Sequence, residues 1–287
     1  MKNIPIRSIH APVEEPAFSE SFSIRDIREL LAGKDMVQEL HRHDFFFILV
    51  LKKGRGRHEI DLIPHMILDH SIFFLRPGQV HQLTLKAGST GYLVQFKTDF
   101  YYPDNKAAHQ LLRRTGTRNL CQPGADGFKK LLPLLTCIFR EYNGKQEGYK
   151  EVIKANLGIF FIELIRHRQH SKSSATSVTP YMQERLEELS ELLETHIAGH
   201  KQVSWYADRL NLSPYQLNAI TKTTLGKTCS ELINEQIILE AKRALLATSG
   251  QVKEIAWQLG YEDASYFIRF FKKHTGYSPE GFRHNFR

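Results

Sequence analysis

The sequence predicts an α+β protein in which a small barrel of β-strands with following helices precedes an all-helical C-terminal half. Three observations support this. Short apolar segments separated by Gly and Pro fill residues 22–100, which is typical of small barrels and jelly rolls. Segments with helical spacing of apolar residues begin at residue 128. Near the C-terminus, one helix–turn–helix pattern occurs twice.

The 287 residues are enough for two domains of ordinary size. Residues 171–180, SKSSATSVTP, are small and polar and end in proline, which is typical of a flexible linker. We therefore expect an N-terminal domain at residues 1–170, this linker, and a C-terminal domain at residues 181–287.

In the N-terminal domain, apolar runs and alternating patterns predict strands, and two later segments predict helices at 128–142 and 149–168. The second helix has more apolar surface than a solvent-exposed helix needs. Two interpretations stay open: it contacts a second copy, or it packs on its own barrel. The predicted strands are Phe45–Leu51, His58–Ile63, Ser71–Leu75, Gln82–Leu85 and Tyr92–Phe96.

The C-terminal pattern is clearest at residues 252–283. An apolar stripe ends at Gly260, where a helix C-cap needs a positive φ, and Asp263 can accept hydrogen bonds from the first turn of the next helix. Phe267, Phe270 and Phe271 follow at helical spacing.

The first copy lies upstream, at residues 207–226. Ala207 precedes Ala256 by 49 residues, and Ser213 precedes Asp263 by 50. Residues 230–248 between the copies predict one connecting helix, about 28 Å long at 1.5 Å per residue. A rigid helix of this length can hold two recognition helices about one DNA turn apart, roughly 34 Å.

Residues 181–287 resemble the DNA-binding domain of the AraC/XylS family of bacterial transcription regulators, most specifically in the run IAWQLGYEDASYFIRFFKKHTGYSPEGFR. The first copy departs from the family pattern. Ala219 stands where the family often has Arg, and Gln236 or Ile237 replaces a usual Arg of the connecting helix. The N-terminal runs LHRHDFFFILVLKKGRGRHEID and IFFLRPGQVHQL resemble the cupin-type sensor domain that precedes the DNA-binding domain in many members.

This resemblance implies a sequence-specific transcription regulator that reads two adjacent major-groove segments and responds to a small-molecule effector. In the second copy, Arg269 matches a family position that contacts DNA, and it is the best candidate for reading a base edge or a phosphate. Because Ala219 offers at most contact with a thymine methyl group, we expect weaker readout from the first copy. The predicted DNA-contacting residues are Tyr215, Gln216, Asn218, Lys222, Ala264, Ser265, Arg269, Lys272 and Lys273.

The barrel is expected to bind an uncharged or anionic organic effector. Apolar walls with a few polar groups are the usual design of such a site. We expect polar contacts from His41, His43, Arg57 and His81, and walls from Phe45, Phe47 and Phe74.

The same histidines also resemble the metal-binding motifs of catalytic cupins. His41 and His43 share one strand face and can converge with His81, and three imidazoles suit Zn, Fe or Ni. The acidic ligand expected after His43 is missing, since Phe45–Ile48 occupy that stretch. We therefore predict no cofactor, and keep a metal-dependent cupin enzyme with a helical appendage as the alternative function.

Composition sets further bounds. The net charge of +8 lies wholly in residues 1–180, because residues 181–287 hold 13 Lys and Arg against 13 Asp and Glu. The longest apolar run, Phe45–Leu51, is too short to span a bilayer, and no secretory segment is evident. The three cysteines are scattered along the chain, which indicates reduced thiols that serve only in packing.

We expect a cytoplasmic protein that is not an enzyme. Its expected partners are double-stranded DNA, a small-molecule effector, RNA polymerase and a second copy of the chain, and no membrane association is expected. A constitutive architectural DNA-binding protein without an effector is the third alternative, and it would show no thermal shift with any metabolite.

Overall fold

The computed structural model describes residues 5–7, 9, 21–102, 105–170 and 179–286, which form two compact units, one within residues 5–170 and the other within 179–286. Of the predicted linker, residues 171–178 lie outside the described residues. Thr179 and Pro180 cap and begin a helix.

The N-terminal unit is built from two five-stranded sheets rather than one closed barrel sheet. The strand order is β1-β3-β8-β5-β6 in the first sheet and β10-β7-β4-β9-β2 in the second, an arrangement consistent with a cupin-like jelly roll. The strands are β1 Ile6–Arg7, β2 Phe22–Asp26, β3 Met36–His43, β4 Phe46–Lys53, β5 Gly56–Ile60, β6 Ile63–Ile67, β7 Ile72–Leu75, β8 Val80–Leu85, β9 Thr90–Phe96 and β10 Leu120–Cys121.

The second sheet is buried on both faces, which explains its continuous apolar runs. Phe45, Phe47 and Leu49 join the core between the two sheets, whereas Phe46 and Ile48 join a second core under the helices. Successive side chains of β4 therefore serve different cores, as the alternation of a strand requires. The helices of this unit are α1 Ile27–Leu31, α2 Lys106–Gly116, α3 Gly124–Gly144 and α4 Tyr149–His170.

Two predicted features of this unit need correction. The predicted strand His58–Ile63 is right only as far as Ile60, because it continues across a hairpin in which Asp61 and Leu62 have φ values of 49° and 66°. Positive φ at both central residues matches the right-handed twist of the flanking strands, but the second position normally selects Gly and here holds Leu62. The local sequence therefore carried little turn signal. The short helix α1 was also missed, inside a region interpreted as strands.

The C-terminal unit is all helical, and its helices match the predicted repeat closely. The predicted connecting helix 230–248 is α8, and the two helix–turn–helix units are α6–α7 and α9–α10. The helices are α5 Pro180–His196, α6 Val203–Arg209, α7 Pro214–Leu225, α8 Cys229–Ala247, α9 Val252–Gln258, α10 Ala264–Thr275 and α11 Pro279–Phe286. None of the described helices is long and apolar enough to cross a membrane.

Both turns of the repeat close with the same pair of backbone hydrogen bonds. The N–H of Leu212 donates to the carbonyl of Ala207, and that of Tyr261 donates to Ala256, each at 2.9 Å. The preceding residues, Asn211 and Gly260, have φ values of 54° and 71° and donate three residues back. These are Schellman motifs, so the two copies share turn geometry as well as helical pattern.

Candidate DNA-binding surface and sensor site

The exposed face of α10 is centred on Arg269. Phe267 and Phe271 are fully buried, and each lies two residues from Arg269, about 160° away around a helix with 100° per residue. The Arg269 side chain is 70% exposed, and its guanidinium lies 4.0 Å from the Asp263 carboxylate, a surface contact of little energetic weight. The guanidinium is therefore available to an external anion or base edge.

The other predicted residues of α10 surround Arg269. Ser265, Lys272 and Lys273 are exposed, and Ala264 is half-buried at the start of the helix. Tyr266, which was not predicted, is exposed on the same side. Asp263 accepts a 2.7 Å hydrogen bond from the Ser265 backbone N–H, so this cap fixes where the helix and its exposed face begin.

The equivalent face of α7 carries Tyr215, Ala219 and Lys222, all exposed. A groove of about 500 Å³ lies between this face and the start of α8. Its lining is formed by Tyr215, Asn218, Ala219, Lys222, Thr228 and Ser230. This face has one cation, Lys222, where α10 has Arg269, Lys272 and Lys273. Weaker DNA readout from the first copy stays a prediction.

Two predicted residues of α7 are engaged within the protein. The Asn218 amide donates to the Pro214 carbonyl at 3.0 Å, and its oxygen accepts from the Cys229 backbone N–H at 2.9 Å. Asn218 thus joins α7 to the first turn of α8, while its second amide N–H is left for outside contacts and its side chain lines the groove. The Gln216 oxygen accepts from the Ser213 N–H in a capping box, which leaves the amide NH₂ of Gln216 for outside contacts.

Arg283 is a cation of α11 that the structure buries. Its guanidinium donates to the carbonyl oxygens of Leu245 at 3.1 Å and Gly250 at 2.7 Å. It therefore closes the C-terminal end of α8 against α11.

In the jelly roll, the structure brings the three predicted histidines together. His41 lies directly opposite His81 on neighbouring strands β3 and β8, and His43 Nε2 is 2.7 Å from His81 Nε2. One ring nitrogen from each of the three lies within 4.8 Å of the others. All three side chains are buried.

A β-bulge aims these histidines inward. The register of β3 against β8 shifts between Gln38 and His41. Before the shift Met36 packs on the inter-sheet core, and after it His41 and His43 point inside. An extra residue moves every later side chain to the other face, so simple alternation from Met36 would have placed both histidines outside.

A fourth histidine, His58, was missed by the sequence analysis. It is fully buried on β5, and its Nε2 lies 2.8 Å from His81 Nδ1. Burial lowers the pKa of His41 to about 4 and the pKa of His43 and His58 to about 3, and it holds the pKa of His81 well below the ordinary value. The cluster is therefore uncharged near neutral pH.

Two residues predicted for the effector site do not reach it. Arg57 lies on the opposite face of β5 from His58, is 59% exposed and pairs with Glu59 at 3.0 Å. Phe74 belongs to the core under the helices, and Phe73 faces the histidines instead, with its ring 4.7 Å from that of His58. Phe45 and Phe47 do lie beside the histidines, with ring centroids 4.3 and 5.3 Å from that of His43.

Together, the fold, the exposed helix faces and the buried histidine cluster define a DNA-binding regulator with a separate ligand-binding domain. A helix-turn-helix domain model matches residues 206–285, and a model of the AraC-like ligand binding domain matches residues 32–155. The chain belongs to the AraC family of transcription regulators. This membership favours the regulator over the metal-dependent enzyme alternative, because the family is one of transcription regulators rather than enzymes.

Individual relatives agree with the family match. The HTH-type transcriptional activator RhaS of Pectobacterium carotovorum subsp. carotovorum (strain PC1) is 25% identical over 249 residues, 85% of this chain and 87% of the relative. RhaR of Salmonella dublin is 23% identical over 252 residues, with 85% and 86% covered. Among solved structures, ToxT from Vibrio cholerae is 18% identical with a TM-score of 0.43, covering 92% of this chain and 98% of that one.

Proposed function

We propose that α10 reads base edges in the major groove chiefly through Arg269 and that α7 contributes weaker readout. The observation that carries this proposal is the position of Arg269 at the centre of an exposed helix face, opposite buried Phe267 and Phe271. A short helix with an apolar back and a polar, basic front fits the major groove, and Arg is the commonest reader of guanine. Lys272, Lys273 and Lys222 contact phosphates and position the helices.

Replacing Arg269 with alanine is expected to weaken operator binding by about 1–3 kcal/mol, or roughly 5- to 150-fold, and to relax preference at one base pair. Gel-shift titration against an operator series with single base changes measures both effects. Arg269→Lys separates the two roles of the side chain. Lysine keeps the charge but not the bidentate fork, so it rescues a phosphate contact and fails to rescue a guanine contact. Operator affinity unchanged in Arg269→Ala would contradict the proposal.

The jelly roll is proposed to be the sensor, with His41, His43 and His81 as the polar groups of the site and Phe45 and Phe47 as walls. Arg57 and Phe74 are excluded by their orientation. A ligand that prefers one state of the chain shifts the population of that state and thereby changes promoter occupancy.

Helix α4 is proposed to form a contact with a second copy of the chain. Val152, Ile159 and Ile162 are exposed apolar residues spaced by seven and three positions, which places them on one stripe of the helix. The opposite side of α4 is buried in its own unit through Leu157, Phe160 and Phe161. Packing on its own unit is thus observed for one side of the helix, and the contact with a second copy is proposed for the exposed stripe.

A chain that begins at residue 179 is expected to bind the operator but to show no effector response and to sediment as a monomer. It retains α5–α11 and lacks the jelly roll and α4. Gel shifts with a panel of sugars and organic acids, together with analytical ultracentrifugation, compare it with the full chain. Full-length Ile159→Asp is the control, because it should sediment as a monomer yet keep the effector response. An isolated domain that keeps the full response would place the sensor outside the jelly roll.

The two relatives described above are named transcriptional activators. We infer that this chain also activates transcription, acts in the cytoplasm where the chromosome lies, and contacts RNA polymerase when bound beside a promoter. A reporter assay with the operator upstream of a promoter measures the direction of regulation.

A further inference from the structure

The buried histidine cluster has an orphaned acceptor that the DNA-binding function does not explain. His41 Nδ1 lies 2.6 Å from the carbonyl oxygen of Glu39. A carbonyl only accepts, so Nδ1 carries the ring proton of neutral His41, and its lone pair resides on Nε2. That Nε2 is buried and has no hydrogen-bond partner. A buried acceptor without a partner is unfavourable, so this site gains stability when a cation or donor arrives.

The neighbouring imidazoles form a hydrogen-bonded chain. His81 Nε2 and His43 Nε2 lie 2.7 Å apart, and His58 Nε2 lies 2.8 Å from His81 Nδ1. When the proton of His81 is on Nδ1 and donated to His58, its Nε2 accepts a hydrogen bond from the Nε2–H of His43. For His43 to ligate through Nε2 as well, its ring proton moves to Nδ1, which has no hydrogen-bond partner. An outer histidine or carbonyl that holds the far ring nitrogen is the usual way in which proteins orient metal-ligating histidines. Glu39 serves His41 in this way, and His58 serves His81.

We propose that His41, His43 and His81 form a binding site for a divalent transition-metal ion of the zinc, cobalt or nickel type. Zinc–nitrogen bonds of about 2.0–2.1 Å set tetrahedral ligand nitrogens roughly 3.4 Å apart. The observed separations run from 2.7 Å to at most 4.8 Å, so side-chain adjustments of an ångström or less bring the three nitrogens to this spacing.

The surroundings of the cluster are apolar and closed to solvent. The Phe45, Phe47 and Phe73 side chains around it are each no more than 1% exposed, so the histidine nitrogens have few other polar partners.

The donor set also indicates what completes the coordination. The described residues around the cluster supply three neutral nitrogens and no carboxylate. A dication with three neutral ligands keeps its full charge in an apolar surrounding, which is costly without an anion. An open fourth position, filled by hydroxide or by a carboxylate from the effector, balances the charge. This last step rests on the proposed sensor function, whereas metal binding itself does not.

The test uses the full-length chain without a histidine tag, dialysed against a chelator and then titrated with Co²⁺ and Zn²⁺ in the absence of DNA. We expect one ion per chain by mass spectrometry of the desalted protein, and visible ligand-field bands from Co²⁺ in a low-coordinate nitrogen site. His41→Ala and His81→Ala should each abolish the bands. His58→Ala should keep the stoichiometry and weaken binding about 10- to 100-fold, as loss of an outer partner does.

His65→Ala is the matched control, since His65 lies on the adjacent strand β6 and is not part of the group. It should bind cobalt as the parent chain does. A folded parent chain that takes up no cobalt or zinc overturns the proposal, as does equal loss in His65→Ala and His41→Ala. If a variant fails to fold by circular dichroism, the stoichiometry of the parent chain still decides. Operator binding by the metal-free chain is measured separately, so failure of the metal site leaves the regulator function intact.

Discussion

Replacing Gly260 with alanine is expected to destabilise the C-terminal unit by about 2–5 kcal/mol. A Cβ at this position would lie 1.7 Å from the backbone oxygen of Ala198, and φ is +71°. The Lys201 ammonium binds the carbonyls of both Ala198 and Gly260, at 3.0 and 3.1 Å, and holds the two backbones together. The overlap can be relieved only by moving backbone, which breaks these contacts and the turn of the second helix–turn–helix unit.

Gly276→Ala provides the matched control. Gly276 has a φ of +79°, but a Cβ there meets no atom within 4 Å. It should cost only the left-handed strain, about 1–2 kcal/mol. Urea unfolding of the two variants measures the difference, and equal losses would show that the approach of Ala198 does not matter. The first copy has Asn211 in the equivalent turn position, so a left-handed turn alone does not require glycine.

Replacing Arg283 with methionine is expected to cost about 2–5 kcal/mol, because two buried carbonyl oxygens, of Leu245 and Gly250, lose their donor. Methionine keeps much of the apolar stem, so the loss reports mainly the guanidinium bonds. The side chain is only 5% exposed, which leaves it little access to phosphate.

Lys272→Met separates stability from DNA binding. Lys272 is an exposed cation of the proposed reading face, so its replacement should change unfolding by less than about 0.5 kcal/mol while weakening operator binding. Arg283→Met should show the reverse pattern, with a lower free energy of unfolding and unchanged operator binding. Urea unfolding measures the first, and gel shifts under conditions where the variant is folded measure the second. Full stability of Arg283→Met combined with lost operator affinity would make Arg283 a phosphate contact, as its charge alone suggests.

The sequence alone was sufficient for the two helix–turn–helix units and the helix between them, because their signals are local; it did not predict α11. Ser213 and Asp263 cap helices through bonds within two or three residues, and Gly226 and Gly276 end helices through their own φ. Apolar residues at helical spacing, such as Phe267 and Phe271, are buried, and their burial could be predicted without knowing which helix packs against them. The repeat added independent support, since both copies show the same pattern.

The tertiary structure decided which side chains reach the sites. The bulge in β3 turns His41 and His43 inward, and it is visible only in the pairing with β8. His58 joins the cluster because β5 pairs with β8, a partnership made across more than twenty residues of chain. The hydrogen bonds from Cys229 to Asn218 and from Arg283 to Leu245 depend on where α8 lies. Local sequence sets the φ angles, the helix caps and the helical periodicity. Strand register and long-range hydrogen bonds depend instead on partners distant in the chain. These partners determine which polar groups remain free to contact DNA or a ligand.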